Sequence, residues 1–178
     1  QLTAAQASEL SQIKTIKYLD EFDKYMNTLM MQNNIQNVYF DLYRNSPTDL
    51  PDYNMVKAEE FKRTYPSVRI KNAYALIAPL RMQKDEEEIA KVQEAIDITQ
   101  SGLEFVMQTL KPGMQENQVQ ANFEYRIRYN GASGPSFATI AGAGYNGTML
   151  HYSENCGPCR ENEMILLDLG AKYDGYCA

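Results

Sequence analysis

The sequence is sparing with the side chains that most often carry chemistry. It has one histidine, His151, and three cysteines in 178 residues. Three is too few for a disulfide framework and leaves one unpaired, so a reducing cytoplasm is the expected compartment. No apolar stretch approaches the roughly 18 residues of a membrane span, and no membrane partner is expected. Lys and Arg do not gather on one segment, and the net charge is -6 with a pI near 4.9. Nucleic acid is therefore not an expected partner. The stretch "QLTAAQASELSQIK" has no basic region followed by an apolar one, so no secretory leader is expected there. Internal repeats and low-complexity segments are also missing.

What is present reads as alternating helix and strand, an α/β composition. Ile13, Ile16, Leu19, Phe22, Met26 and Leu29 step by three and four, which predicts an amphipathic helix over 11–32. "NVYFDLY" alternates and is rich in β-formers, which predicts a strand. "NSPTDLPDYN" is a loop, "MVKAEEFKRTYP" a short helix stopped by Pro66, and "SVRIKNA" a second short strand. Two strands rarely make a stable sheet. Residues 1–78 therefore read as part of a domain, with Pro79 at the joint.

Asp85 with Glu88 three residues on forms a capping-box pattern. Three Glu in that first turn suit the positive end of a helix. Ile89, Val92, Ile96, Thr99, Leu103, Val106 and Leu110 continue the stripe until Lys111-Pro112-Gly113 ends it. That face reads as packed on the protein's own sheet, because a seam of about three heptads is short for a coiled coil. A second helix covers "ENQVQANFEYRIRYN", with Val119, Phe123 and Ile127 on one face and Gly131 at its end. "SFATIAGAG" and "MILLDLG" follow as strands, and "AKYDGYCA" as a turn and the start of a return strand.

Two motifs invite readings that their surroundings oppose. Gly142, Gly144 and Gly147 fit G-x-G-x-x-G, with Asp168 placed where a ribose-binding acid would sit. A phosphate there needs the N-terminus of a following helix. Instead "TMLHYSENCGPCRENE" follows, and Pro in a helix interior costs roughly 3 kcal/mol. The glycines read as close packing of a strand on a tight turn, and no nucleotide cofactor is expected. Cys156-Gly157-Pro158-Cys159 is a C-x-x-C, whose thiol is activated when its first Cys opens a helix. Here a strand follows at once. Structural zinc needs four ligands, and no second pair exists. The segment reads as a β-turn with a structural Gly-Pro.

"MILLDLG" sets a carboxylate, Asp168, inside an apolar run that predicts a strand buried on both faces. Such a charge is costly unless it is paired or holds a metal. An Asp bonding turn amides at a strand end is the other reading. His151 follows "GTML" and precedes a polar loop, and from the residues alone it is either structural or functional.

Taken together, "KDEEEIAKVQEAIDIT", "LKPGMQENQV", "NGASGPSFATIAGAGYNGTMLHYSEN" and "ENEMILLDLGAKYDGYCA" resemble the Xaa-Pro aminopeptidases. Their family also holds prolidase, methionine aminopeptidase and creatinase. The resemblance runs from about residue 80 onward and is most specific over 131–178. It implies an α/β (α+β) fold of the pita-bread type. Residues 1–78 would be the C-terminal part of an N-terminal α/β domain, and 79–178 the first half of the catalytic domain. It implies that Asp168 is a metal ligand and that His151 is a catalytic residue facing the substrate. The cofactor implied is a pair of divalent ions, often manganese, with cobalt or zinc also suited; no other cofactor-binding residue is implied.

In the family a second Asp returns on the next strand, which here would fall just past Ala178, and a His and a pair of Glu follow much later. The chain is thus expected to be a piece of a longer enzyme, inactive and without metal on its own. The whole would be a homo-oligomeric metallopeptidase that removes the residue before a penultimate Pro from a peptide substrate. A prolidase-type dipeptidase and a non-catalytic binding module on the same fold are the alternatives.

Overall fold

The computed structural model describes residues 2–32 and 35–178. It opens with α1 (Ala4–Ser11), where Thr3 accepts from the Gln6 N–H at 3.3 Å. Gln12, at φ 58°, turns the chain out of the helix. The helix expected over 11–32 therefore forms only in its second half, as α2 (Phe22–Gln32) after a 3₁₀ turn at Leu19–Glu21. The reason is local. Ile13, Thr15 and Ile16 are β-branched and lose side-chain freedom in a helix, and Ile13 is left 58% exposed, so burial does not compensate.

Strands β1 (Asn37–Phe40) and β2 (Arg69–Asn72) pair in parallel, Asn37 opposite Arg69 and Phe40 opposite Asn72. Parallel neighbours need a crossover, and α3 (Tyr53–Thr64) provides it. Asp52 caps α3 by accepting from the Met55 N–H at 2.8 Å. The helix stops at Thr64 because Tyr65 precedes Pro66, whose ring disfavours helical backbone before it. Phe61 meets Phe40 edge-on, with ring centroids 5.8 Å apart, and so packs α3 on β1.

Pro79 does not end a unit. It lies inside α4 (Tyr74–Met82), where its missing N–H costs one bond to the turn before it. The chain divides into two compact units between Met82 and Gln83.

The second unit begins as expected. Asp85 accepts from the Glu88 N–H and Glu88 from the Asp85 N–H, both at 2.9 Å, at the start of α5 (Glu86–Thr109). The buried line of α5 is Ala95, Ile98, Gly102 and Val106, offset from the predicted stripe, with Ile89 and Ile96 left exposed. Gly102 on that line admits α6 (Glu116–Tyr129), whose buried face is Val119, Phe123 and Ile127. A Cβ on Gly102 would stand 2.6 Å from Phe123 Cε2 and 2.8 Å from Ile127 Cγ2. Gly131, at φ 98°, ends α6.

Two antiparallel ladders cover this pair. One is β3 (Gly134–Pro135), β6 (Ala171–Tyr173) and β7 (Tyr176–Cys177) in that order. The turn between β6 and β7 is Asp174-Gly175, both at positive φ, as a tight two-residue hairpin requires. The other ladder pairs β4 (Ile140–Ala143) with β5 (Ile165–Asp168), Ile140 facing Asp168 and Ala143 facing Ile165. Among the described residues, no helix is long and apolar enough to cross a membrane.

The closeness of α5 and α6 is testable. Gly102→Ala should gain up to about 1 kcal/mol of helix propensity and lose about 1–3 kcal/mol to overpacking. A lower urea midpoint at unchanged m-value is the expected result. A raised midpoint would mean that the two helices do not meet at Gly102.

Candidate functional site

The best-built polar centre of the molecule is one the motifs did not point to. Glu116, the first residue of α6, is fully buried. A buried carboxylate is tolerated only when its lone pairs are met, and here four donors meet them. Oε1 accepts from the Ala143 N–H at 2.7 Å and from Asn146 Nδ2 at 3.0 Å. Oε2 accepts from the Tyr152 hydroxyl at 2.7 Å and from the Gly157 N–H at 2.6 Å. Burial pushes the carboxyl up, but these donors together outweigh it and hold Glu116 below the ordinary carboxylate range. The Glu116 N–H is met in turn by the Gly157 carbonyl at 2.9 Å.

The Tyr152 hydroxyl also accepts from Asn146 Nδ2 at 3.0 Å and from the Cys156 N–H at 3.1 Å. The Cys156 N–H favours the phenolate, yet burial and the bond to Glu116 prevail, and the hydroxyl is pushed up to about 12. Tyr152 is thus a neutral donor throughout the physiological range. Next to this hub, buried Asn155 accepts from the Ala141 N–H at 2.9 Å and donates to the Thr139 carbonyl at 2.8 Å and to Gln120 at 2.9 Å. The polar loop after His151 is therefore sewn to β4 and α6.

The same geometry explains both misleading motifs. Gly142 and Gly147 touch backbone to backbone, since a Cβ on Gly142 would lie 2.9 Å from Gly147 Cα. Gly144–Thr148 winds as a 3₁₀ turn, not as the α-helix a dinucleotide needs. In the Cys156–Cys159 stretch, Gly157 is bare because a Cβ would stand 2.5 Å from Asn146 Nδ2 and 3.0 Å from Glu116 Oε1. Cys159 exchanges backbone bonds with Gly113 and Met114, at 2.8 and 2.7 Å. It is buried in the apolar core, and burial, with Glu116 and Glu163 nearby, pushes its thiol up. Cys159 is a small core hydrophobe rather than a nucleophile.

Asp168 ends β5, and its position corrects an expectation. The strand is not covered on both sides. Ile165 and Leu167 turn toward the core, while Leu166, 46% exposed, and Asp168 face outward. The period of two leaves one face of the β4–β5 ladder open within this chain. The Asp168 carboxylate makes no hydrogen bond or ion pair among the described residues. It does not bond turn amides, and an open carboxylate suits a hard divalent ion. It stands alone, however, and no group of three His, Cys, Asp or Glu among the described residues could hold a metal.

His151 is exposed at φ 56°, in the turn that follows the 3₁₀ segment. Its imidazole makes no hydrogen bond among the described residues, and nothing bonds it to Asp168. A sequence signal for Glu116 did exist. It stands three residues before Val119, on the same line as Phe123 and Ile127, so the apolar face of α6 begins with a charge.

Glu116→Gln should destabilise the chain by about 2–4 kcal/mol at pH 7, because an amide cannot accept from all four donors. The wild-type carboxyl is held low in the fold, so its contribution is complete above the unfolded value of about 4.3 and fades as pH falls through the folded one. The difference in unfolding free energy between the two proteins should therefore shrink in acid. An equal difference at pH 7 and pH 3 would show that charge is not what Glu116 contributes.

Comparison with known proteins agrees with this architecture. The model of metallopeptidase family M24 matches residues 90–178, half of the chain. The Xaa-Pro aminopeptidase of Escherichia coli (strain K12) is 36% identical over 101 residues, which is 57% of this chain and 23% of that protein. The Xaa-Pro dipeptidase of Pyrococcus furiosus is 30% identical over 124 residues, 70% of this chain and 35% of that one. A solved structure from Bacillus anthracis, described as a candidate aminopeptidase P, superposes with a TM-score of 0.92 at 33% identity, covering 100% of this chain and 42% of that one. The chain thus spans less than half the length of each of these three. Over its helix pair and its antiparallel ladders, this chain belongs to metallopeptidase family M24.

Proposed function

We propose that this chain is part of an Xaa-Pro aminopeptidase, which hydrolyses the bond before a penultimate Pro and releases the N-terminal residue. The observation that carries this reading is the agreement along the whole chain with the Bacillus anthracis structure. The first unit is then the latter part of an N-terminal domain, and the second unit the opening portion of the catalytic domain. Further ligands come from the remainder of a polypeptide of the relatives' length. The free state of all three cysteines suits a cytoplasmic enzyme.

In this reading Asp168 is one carboxylate ligand of a divalent pair. Manganese suits an oxygen-rich set best, with cobalt or zinc as alternatives. When bound, such ions acidify water and neutralise charge developing on the peptide carbonyl. His151 stands apart from the ligands and acts on the substrate, holding or moving a proton at the scissile amide. Its exposed imidazole, with no competing hydrogen bond among the described residues, leaves both ring nitrogens available for this. The Pyrococcus relatives support a second reading, an Xaa-Pro dipeptidase. The two differ in what lies beyond the Pro: an aminopeptidase cleaves Xaa-Pro-Yaa tripeptides, and a dipeptidase only the Xaa-Pro dipeptide.

The test uses a polypeptide of the relatives' length that contains this chain. It should cleave the tripeptide when loaded with manganese. Asp168→Asn should abolish cleavage and also the rise in Tm that manganese gives the unmutated protein. Should the variant keep both, Asp168 is not a ligand. His151→Ala should lower kcat by about 10²- to 10⁴-fold with metal content unchanged. Loss of metal in that variant would make His151 a ligand, contrary to the role assigned to it.

A further inference from the structure

Asn146 and Tyr152 bracket His151 in the sequence, and both side chains end on one carboxylate. Asn146 Nδ2 reaches Glu116 Oε1 at 3.0 Å, and the Tyr152 hydroxyl reaches Glu116 Oε2 at 2.7 Å. The two anchors are also bonded to each other, at 3.0 Å. The short span between them is pinned further where the Met149 N–H donates to the Asn146 carbonyl at 3.2 Å. His151 itself sits at φ 56°. A non-glycine residue there is strained and persists only when its surroundings over-determine it. Its own side chain provides none of that restraint, since it makes no hydrogen bond among the described residues. The restraint comes from the residues on either side.

We propose that Glu116, acting through Tyr152 and Asn146, is the positioning group for His151: it fixes the turn from both ends and so sets where the imidazole stands. This rests on the catalytic role given to His151 above. It adds three residues to that role, each acting through the His151 turn rather than as the reacting group. The logic is that of a site whose reacting group is exposed and mobile by itself but carried on a backbone that cannot move. Glu116 suits the task because it lies at the buried start of α6 and is held by the backbones of β4 and of the bend at Gly157 at the same time. Any shift of the His151 turn would leave a buried carboxylate with an unmet lone pair.

The single histidine makes the geometry directly readable. In the 178-residue chain, imidazole proton–nitrogen NMR should show one sharp set of signals. Tyr152→Phe keeps the ring in place and removes only the anchor. It should shift and broaden the imidazole signals and the His151 amide, and Glu116→Gln should do the same if it folds. Ile98→Val, a cavity variant in the α5 core, should leave them in place. Unchanged His151 signals in Tyr152→Phe overturn the proposal and reduce the hub to a loop anchor. In the longer, manganese-loaded polypeptide, Tyr152→Phe should lower kcat about 10- to 100-fold with KM within about twofold. An unchanged kcat there, beside the expected fall in kcat for His151→Ala, also overturns it. If His151→Ala retains full activity, it is the catalytic role of His151 that fails, and the NMR comparison alone decides the positioning.

Discussion

The second unit is organised around the need to satisfy one buried carboxylate. Glu116 cannot be ionised inside the fold without donors, and the four donors come from the end of β4, the 3₁₀ segment that carries Asn146, the loop around Tyr152, and the bend at Gly157. Each must arrive within hydrogen-bond distance at the same time. The charge therefore works as a specification of tertiary structure, because a misplaced loop leaves a buried lone pair unmet. Its favourable place at the start of a helix, where the backbone dipole is positive, lowers the cost of keeping it ionised.

That constraint explains a run of small residues whose obvious meaning lies elsewhere. Gly157 is bare so that its N–H can approach Glu116, and Gly142 and Gly147 are bare so that strand and turn can touch. Gly102 is bare for the analogous reason one layer down, where α5 meets Phe123 and Ile127. Interiors packed this closely leave no room for a Cβ at such points. Cys159 belongs to the same layer and serves as volume.

Against this rigid interior, the chemically interesting side chains are the open ones. Asp168 lies on the uncovered face of the β4–β5 ladder, and His151 on a strained turn beside the hub. Among the described residues, neither side chain has a hydrogen-bond or ion-pair partner. Polar groups that could have been bonded and are not, carried on backbone that is tightly fixed, form the pattern expected where a ligand completes the site. Membership of a metallopeptidase family gives that pattern a chemical meaning.

Much of the architecture follows from local sequence. The Asp85–Glu88 capping box, the stop at Pro66, the end of α6 at Gly131 and the Asp174-Gly175 hairpin are decided within a few residues of each signal, by backbone sterics and short-range hydrogen bonds. The resemblance that singled out Asp168 and His151 was likewise carried by contiguous stretches. Three things were not legible. The helix over 11–32 broke because β-branched residues found no surface on which to bury their stripe. The buried line of α5 shifted because α6 packs where Gly102 leaves room for Phe123 and Ile127, which turns Ile98 inward and leaves Ile89 and Ile96 exposed. The role of Glu116 is not local, because its partners lie 27 to 41 residues away along the chain. A charge at the head of an apolar stripe shows that something must satisfy it. Which groups do so is fixed only when the distant segments meet, since hydrogen-bond partners are selected by position in space and not by spacing in sequence.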